Sequence, residues 1–219
     1  MSSFVQFAIA QGVPLGTIEL MFMFPIVVTI IAASRQIVGI KGFGIYTPSI
    51  ITLAFLSTGL KYGVFLFVVI LIVGMISRVV IKEFRLLYLP RVAIMLTLVS
   101  ITTFLILIFG GYFRRTGLAS VSIFPLLIMI TIMEKFIVVQ IEKGAKTAVF
   151  LSLETLLVSI IAYFITSISS LSQLMLAYPW LLILVILVNF GLGKWTGLRF
   201  SEYFRFKEVV KNAELSQKK

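Results

Sequence analysis

The stretch best equipped for chemistry is S-R-Q-I-V-G-I-K-G-F-G-I-Y-T-P, residues 34–48. Arg35 and Lys41 supply two cations, and Gly39, Gly42 and Gly44 let the backbone come close to a ligand. Thr47 is placed to cap a helix that Pro48 opens at its first position. A helix start carries unpaired N–H groups and a partial positive charge. With two cations beside it, this stretch reads as an anion site. The competing description is a loop of ordinary glycines and topology-setting charges. A weaker copy, R-R-T-G-L-A-S-V-S-I-F-P, follows at 114–125.

The acids form a second set, and all eight are Glu. Glu134 and Glu142 lie about 80° apart around a helix, broadly on one face. Glu142 and Lys146 have the favourable i,i+4 order. Glu154 falls within an apolar run, where an ionised carboxylate is expensive. It should face protein or water, pair with a cation, or take up a proton. Glu19 sits near the start of the first apolar run. These carboxylates read either as a proton or cation relay, or a clamp for an amine-bearing ligand, or as structural ion pairs. Arg35, Arg78, Arg91, Lys135 and Lys146 are the candidate partners.

The elements that must hold these residues follow from composition. Of 219 residues, 60% are hydrophobic and 12% charged, where a soluble domain is about half apolar and a quarter charged. The mean hydropathy is +1.16. The expected fold is an all-α integral membrane protein with seven transmembrane helices, at about 18–34, 46–60, 62–81, 92–110, 119–141, 147–168 and 178–193. The second is the weakest, since it starts at Thr47-Pro48 and soon meets Gly59 and Lys61. A short extracytoplasmic tail (1–17) would precede this 18–193 membrane domain, and a basic aromatic cytoplasmic tail (194–219) would follow it. Pro25, Pro125 and Pro179 fall near or within spans and should kink helices.

The chain has no Cys, His or Asp. Ser-His-Asp and Cys-His catalysis, disulfides and His- or Cys-ligated metals are therefore excluded. We expect no enzyme activity, cofactor or metal. The net charge of +11 suits cytoplasmic loops and anionic headgroups rather than nucleic acid. On the seven-span map, 16 of the 19 basic residues fall on the side away from the N-terminus. The positive-inside rule then puts the N-terminus outside and the C-terminus in the cytoplasm, across a bacterial inner membrane. Residues 1–17 lack Lys and Arg, which argues against a cleaved signal peptide.

Two segments repeat. G-L-K-Y-G-V-F-L-F-V-V-I-L (59–71) and G-A-K-T-A-V-F-L-S-L-E-T-L (144–156) share Gly, Lys, Val, Phe, Leu and Leu in register. On the expected map Lys61 is outside and Lys146 inside. Residues 18–81 and 92–168 would then be an inverted 3+3 pair with one helix added, as recurs in transporters.

Four stretches also resemble one bacterial family: R-Q-I-V-G-I-K-G-F-G-I-Y-T-P-S-I-I-T-L-A-F (35–55), L-Y-L-P-R (87–91), F-P-L-L-I-M-I-T-I-M-E-K (124–135) with I-E-K-G (141–144), and W-T-G-L-R-F-S-E-Y-F-R-F (195–206). It is the seven-transmembrane module usually fused to an inactive transglutaminase-like domain. A fainter likeness, around the second and fifth spans, is to the membrane C subunit of capsular poly-gamma-glutamate synthase. The resemblance implies an inner-membrane protein encoded near ATP-grasp amide ligases, which join glutamate-like amino acids into peptides. Only about 17 residues precede the first span, so a role that needs the transglutaminase-like domain is not expected. The implied function is a non-enzymatic membrane partner of a cytosolic ligase, tethering, receiving or exporting an anionic glutamate-like peptide. The alternatives are an independent secondary transporter or channel for a small anion, and a structural anchor or scaffold. The family-matching positions are Arg35, Gly39, Gly44, Pro48, Arg91, Pro125, Glu134, Glu142, Arg199 and Glu202.

Overall fold

The computed structural model describes residues 2–81, 83–84, 86–112 and 123–195. Every regular element among them is a helix. They are α1 (Ser3–Ala10), α2 (Leu15–Ala33, continued by a π-helical turn Ser34–Val38), α3 (Tyr46–Thr58) and α4 (Leu60–Ile81). Then come α5 (Tyr88–Tyr112), α6 (Ile123–Lys143), α7 (Ala145–Thr166), α8 (Ser169–Ala177) and α9 (Leu181–Gly193). Their Ile, Val and Phe are indifferent helix formers in water. In hydrocarbon the backbone must bond to itself, and that requirement dominates. Arg114, Arg115, most of their 114–125 stretch and the tail beyond Trp195, with Arg199 and Glu202, lie outside the described residues.

Among the described residues four helices are long and apolar enough to cross a membrane: Leu15–Val38, Leu60–Ile81, Tyr88–Gly110 and Ala145–Thr166. Three expected spans differ. The second, α3, has 13 residues, about 20 Å, and falls short of a ~30 Å core. Gly59 ends it at φ +81°, and an irregular segment, 39–45, precedes it. The fifth, α6, is 21 residues long, with Glu134 and Lys135 near its middle and Glu142 and Lys143 at its end, and is not among those four. The seventh is not one helix: α8 and α9 meet at 111° around Pro179. A fifth span results only if that bent pair counts as one.

The contacts gather into two compact units. The first holds Met1–Lys41 and Phe164–Lys219. Within it the expected N-terminal tail is largely helical. Ser2 N–H donates to Leu176 O (3.1 Å), and Val5 is buried with Ile18 and Leu176. The Ser172 hydroxyl donates to Glu19, and Asn189 Nδ2 donates to Thr29 Oγ1 (2.6 Å). Thr29 in turn donates to the carbonyl of Pro25 (2.8 Å).

The second unit, Gly42–Tyr163, contains α3 to α6 and most of α7. Two of its parts follow one plan, a helix, a single glycine at positive φ, then a 22-residue helix. They are α3–Gly59–α4 and α6–Gly144–α7, with φ +81° and +88° at the glycines. Burial largely keeps the same spacing of 85 residues that separates Gly59 from Gly144, with Ser49, Ala54, Leu66 and Val158 buried where their counterparts are not. On α3 it takes in Thr47, Pro48, Ile51, Thr52 and Phe55; on α6, Ile132, Met133, Phe136, Ile137 and Gln140. On α4 it takes in Gly63, Phe67, Ile70, Gly74 and Ser77; on α7, Ala148, Ser152, Thr155, Ser159 and Ala162.

Candidate functional site

The unit's polar groups converge where the irregular segment meets α6 and α7. Gly42 has φ +41°, which a side chain resists, and a Cβ there would come within 3.1 Å of Thr155 Oγ1. This close approach aims two backbone amides at α7. Gly42 N–H donates to Glu154 Oε2 (2.8 Å) and Phe43 N–H to Thr155 Oγ1 (2.9 Å). The Thr155 hydroxyl donates onward to Leu151 O (2.7 Å). The Phe43 ring meets Phe136 edge-on, with centroids 6.5 Å apart.

One turn further along, α3 and α7 are joined by hydroxyls. Ser159 Oγ lies 2.8 Å from Thr155 O and 3.1 Å from Pro48 O, and Thr52 Oγ1 lies 2.8 Å from Pro48 O and 3.3 Å from Ser159 O. Thr52 and Ser159 are both fully buried. Lys135 Nζ, on α6, donates to Thr47 Oγ1 (3.3 Å). Beside these groups lies a cleft of about 420 Å³. Its walls carry Thr131, Glu134, Lys135 and Lys143 from α6 and the backbone of Gly42–Gly44. Phe43, Val138, Val139 and Leu151 supply its apolar part.

The residues expected at the site are thus partly brought together. Gly42, Gly44, Thr47 and Pro48 belong to the second unit, as do Glu134, Lys135 and Glu154. Arg35 and Gly39 belong to the first unit, where Arg35 lies in the π-helical turn and Gly39 N–H closes it onto Ser34 O (3.1 Å); Lys41 is that segment's last residue. Thr47 is not the cap. The helix begins at Tyr46, Ile45 holds the cap position without a side-chain bond, and the Thr47 hydroxyl faces Lys135 instead. Pro48 falls in the first turn, where a missing N–H costs nothing.

The anion expected at the glycine segment is supplied by the chain itself. The Glu154 carboxylate occupies the Gly42 amide that an external anion would need. The Glu142–Lys146 spacing does not become a helical pair, because α6 ends at Lys143 and Gly144 intervenes. Arg78, in the last turn of α4, is half-buried. Arg91, in the first turn of α5, donates Nη2 to Leu86 O (3.3 Å). Its Nε is buried without a hydrogen-bond partner among the described residues, as is Gln140 Oε1. Glu134 and Glu142 are exposed at the chain's surface. Thr131, Thr155 and Ser159 are not among the residues the sequence singled out. The Thr155–Ser159 spacing marks nothing, because both hydroxyls can bond their own i−4 carbonyls.

With this geometry in hand, comparison with known proteins gives one match. A family model described as seven transmembrane helices usually fused to an inactive transglutaminase covers residues 2–210. Neither the curated proteins nor the solved structures include a match to the chain.

Proposed function

The chain belongs to this family of seven-transmembrane-helix proteins, so it is a multi-pass membrane protein, and from that premise we propose that it is a non-enzymatic membrane subunit working with a cytosolic ATP-grasp-type amide ligase. It tethers, receives or exports the ligase's anionic, glutamate-like peptide product across the bacterial inner membrane, with its N-terminus outside and its C-terminus in the cytoplasm.

The observation that carries this reading is the cleft of the second unit. Lys135 and Lys143 offer two cations to carboxylates, and Glu134 offers one anion to an amine. The Phe43, Val138 and Val139 wall accommodates the methylenes of a glutamate side chain. A charged pocket on a membrane helix is costly to keep, and such groups usually serve substrates or pairs. With no His, Cys or Asp, the chain cannot assemble the common nucleophile and base pairs, which supports a binding and transfer role.

The test is genetic and biochemical. Deleting this gene with the ligase left intact should abolish surface or exported product while intracellular product persists. Export at the wild-type level would refute the reading. The ligase should also copurify with the intact chain from mild detergent.

A further inference from the structure

We infer that α3–α4 and α6–α7 are two copies of one hairpin, inverted with respect to each other, and that this pair carries the cleft's ligand across the membrane by alternating access. The inference rests on the cleft being a ligand site, but not on which anion fills it.

Three observations beyond the sequence repeat support it. The single-glycine breaks and most buried positions of the two hairpins keep one spacing of 85 residues, as two copies of one packing unit would. Next, one contact between the copies has its exchanged counterpart. Ser159 on α7 bonds to Pro48 on α3. Their counterparts are Gly74 on α4 and Met133 on α6, and there a Cβ on Gly74 would run into the Met133 methyl. A pair i–j matched by its exchanged pair j–i is the mark of a two-fold axis. Finally, a cavity of about 160 Å³ is lined by both members of two equivalent pairs, Val68 with Leu153 and Leu71 with Leu156. A two-fold axis passing through that cavity places both members on its wall.

The symmetry is broken in a directed way. Thr52, Thr155 and Ser159 make the α3–α7 seam polar. Their counterparts Ile137, Ile70 and Gly74 make the α4–α6 seam apolar. Residues 39–45 are irregular where the corresponding residues of the other copy are helical. Irregular backbone at membrane depth is tolerated where it is buried in protein or lines a cavity, and broken helices hold the ligand in inverted-repeat carriers. Two seams that the repeat relates and that differ in polarity are the element a carrier would switch between.

The native chain has no cysteine, so single-cysteine variants report cleanly. Lys61→Cys and Lys146→Cys mark the two glycine breaks, and Thr131→Cys marks the cleft; all three positions are exposed. Each variant is labelled with a membrane-impermeant maleimide in right-side-out and in inside-out vesicles. Cysteines 61 and 146 should each label from one face only, and from opposite faces. The cleft cysteine should label from both faces. Oxidising an added Thr52→Cys/Ser159→Cys pair should cut cleft labelling from one face by at least about tenfold, reversibly with reductant. Labelling of 61 and 146 from the same face would overturn the inversion. Cleft labelling from a single face in the unlinked protein, or no effect of the link, would overturn alternating access. None of these measurements uses a ligand, so they stand apart from the test of the glutamate-like product.

Discussion

Lys135 and Thr155 face opposite tasks within one site. Lys135 projects an exposed ammonium at the cleft and is steadied by the Thr47 hydroxyl. Lys135→Met should therefore weaken binding of labelled pentaglutamate to nanodisc-embedded protein by roughly tenfold, about 1.4 kcal/mol, while Lys135→Arg should retain most of it. Thermal stability should barely change, since the residue lies at the surface. Thr155 is structural. Its hydroxyl receives the buried Phe43 N–H, so Thr155→Val, equal in shape, leaves that donor stranded. The expected cost is about 1–3 kcal/mol, and Thr155→Ser should recover most of it in a denaturation series. The charged residues of this site were legible in the sequence because a Glu or Lys in apolar surroundings stands out. Thr155 and Ser159 were not, because a hydroxyl on an apolar helix can bond its own i−4 carbonyl and so carries no spacing signal.

The helices themselves were largely legible, and their ends were not. A run of apolar residues in lipid has one way to satisfy its backbone, so α2, α4, α5 and α7 fall where hydropathy puts them. The shortened α3 and the α8–α9 bend depend on Gly59 and on Pro179, whose effects are set by the neighbours they leave room for. That room can be measured at two glycines of α4. A Cβ on Gly63 would enter the ring of Phe55, which is fully buried and has nowhere to go. Gly63→Ala should cost about 1–3 kcal/mol as an overpacked contact. A Cβ on Gly74 meets the flexible side chain of Met133, from its methyl back to Cγ. Gly74→Ala should thus be milder, below about 1.5 kcal/mol, whereas Gly74→Leu should match or exceed the Gly63 variant. Parallel detergent unfolding curves check the order. Equal losses at both alanine variants would contradict the packing of the two hairpins.

At the scale of the whole chain, charge and length give different leverage on topology. If residues 34–58 cross the membrane, 16 of 19 basic residues face the cytoplasm; if they turn back, 14 do, and the N-terminus moves inside. Both arrangements satisfy the positive-inside rule and both keep the C-terminus cytoplasmic, so charge cannot separate them. Length can. The 13 residues of α3 supply about 20 Å of helix, and the seven residues of 39–45 extend at up to ~3.3 Å each. Half of that reach completes a ~30 Å core, and the irregular backbone has protein partners at Glu154 and Thr155 to satisfy it. The segment should therefore cross. An N-terminal epitope should be cleaved by protease added to intact spheroplasts, while a C-terminal alkaline phosphatase fusion stays inactive and a C-terminal green fluorescent fusion glows. A protected N-terminal epitope with the same C-terminal results would make 34–58 re-entrant. Lys61 and Lys146 would still lie on opposite faces in that case, so the inverted pair would survive a result that removed one span.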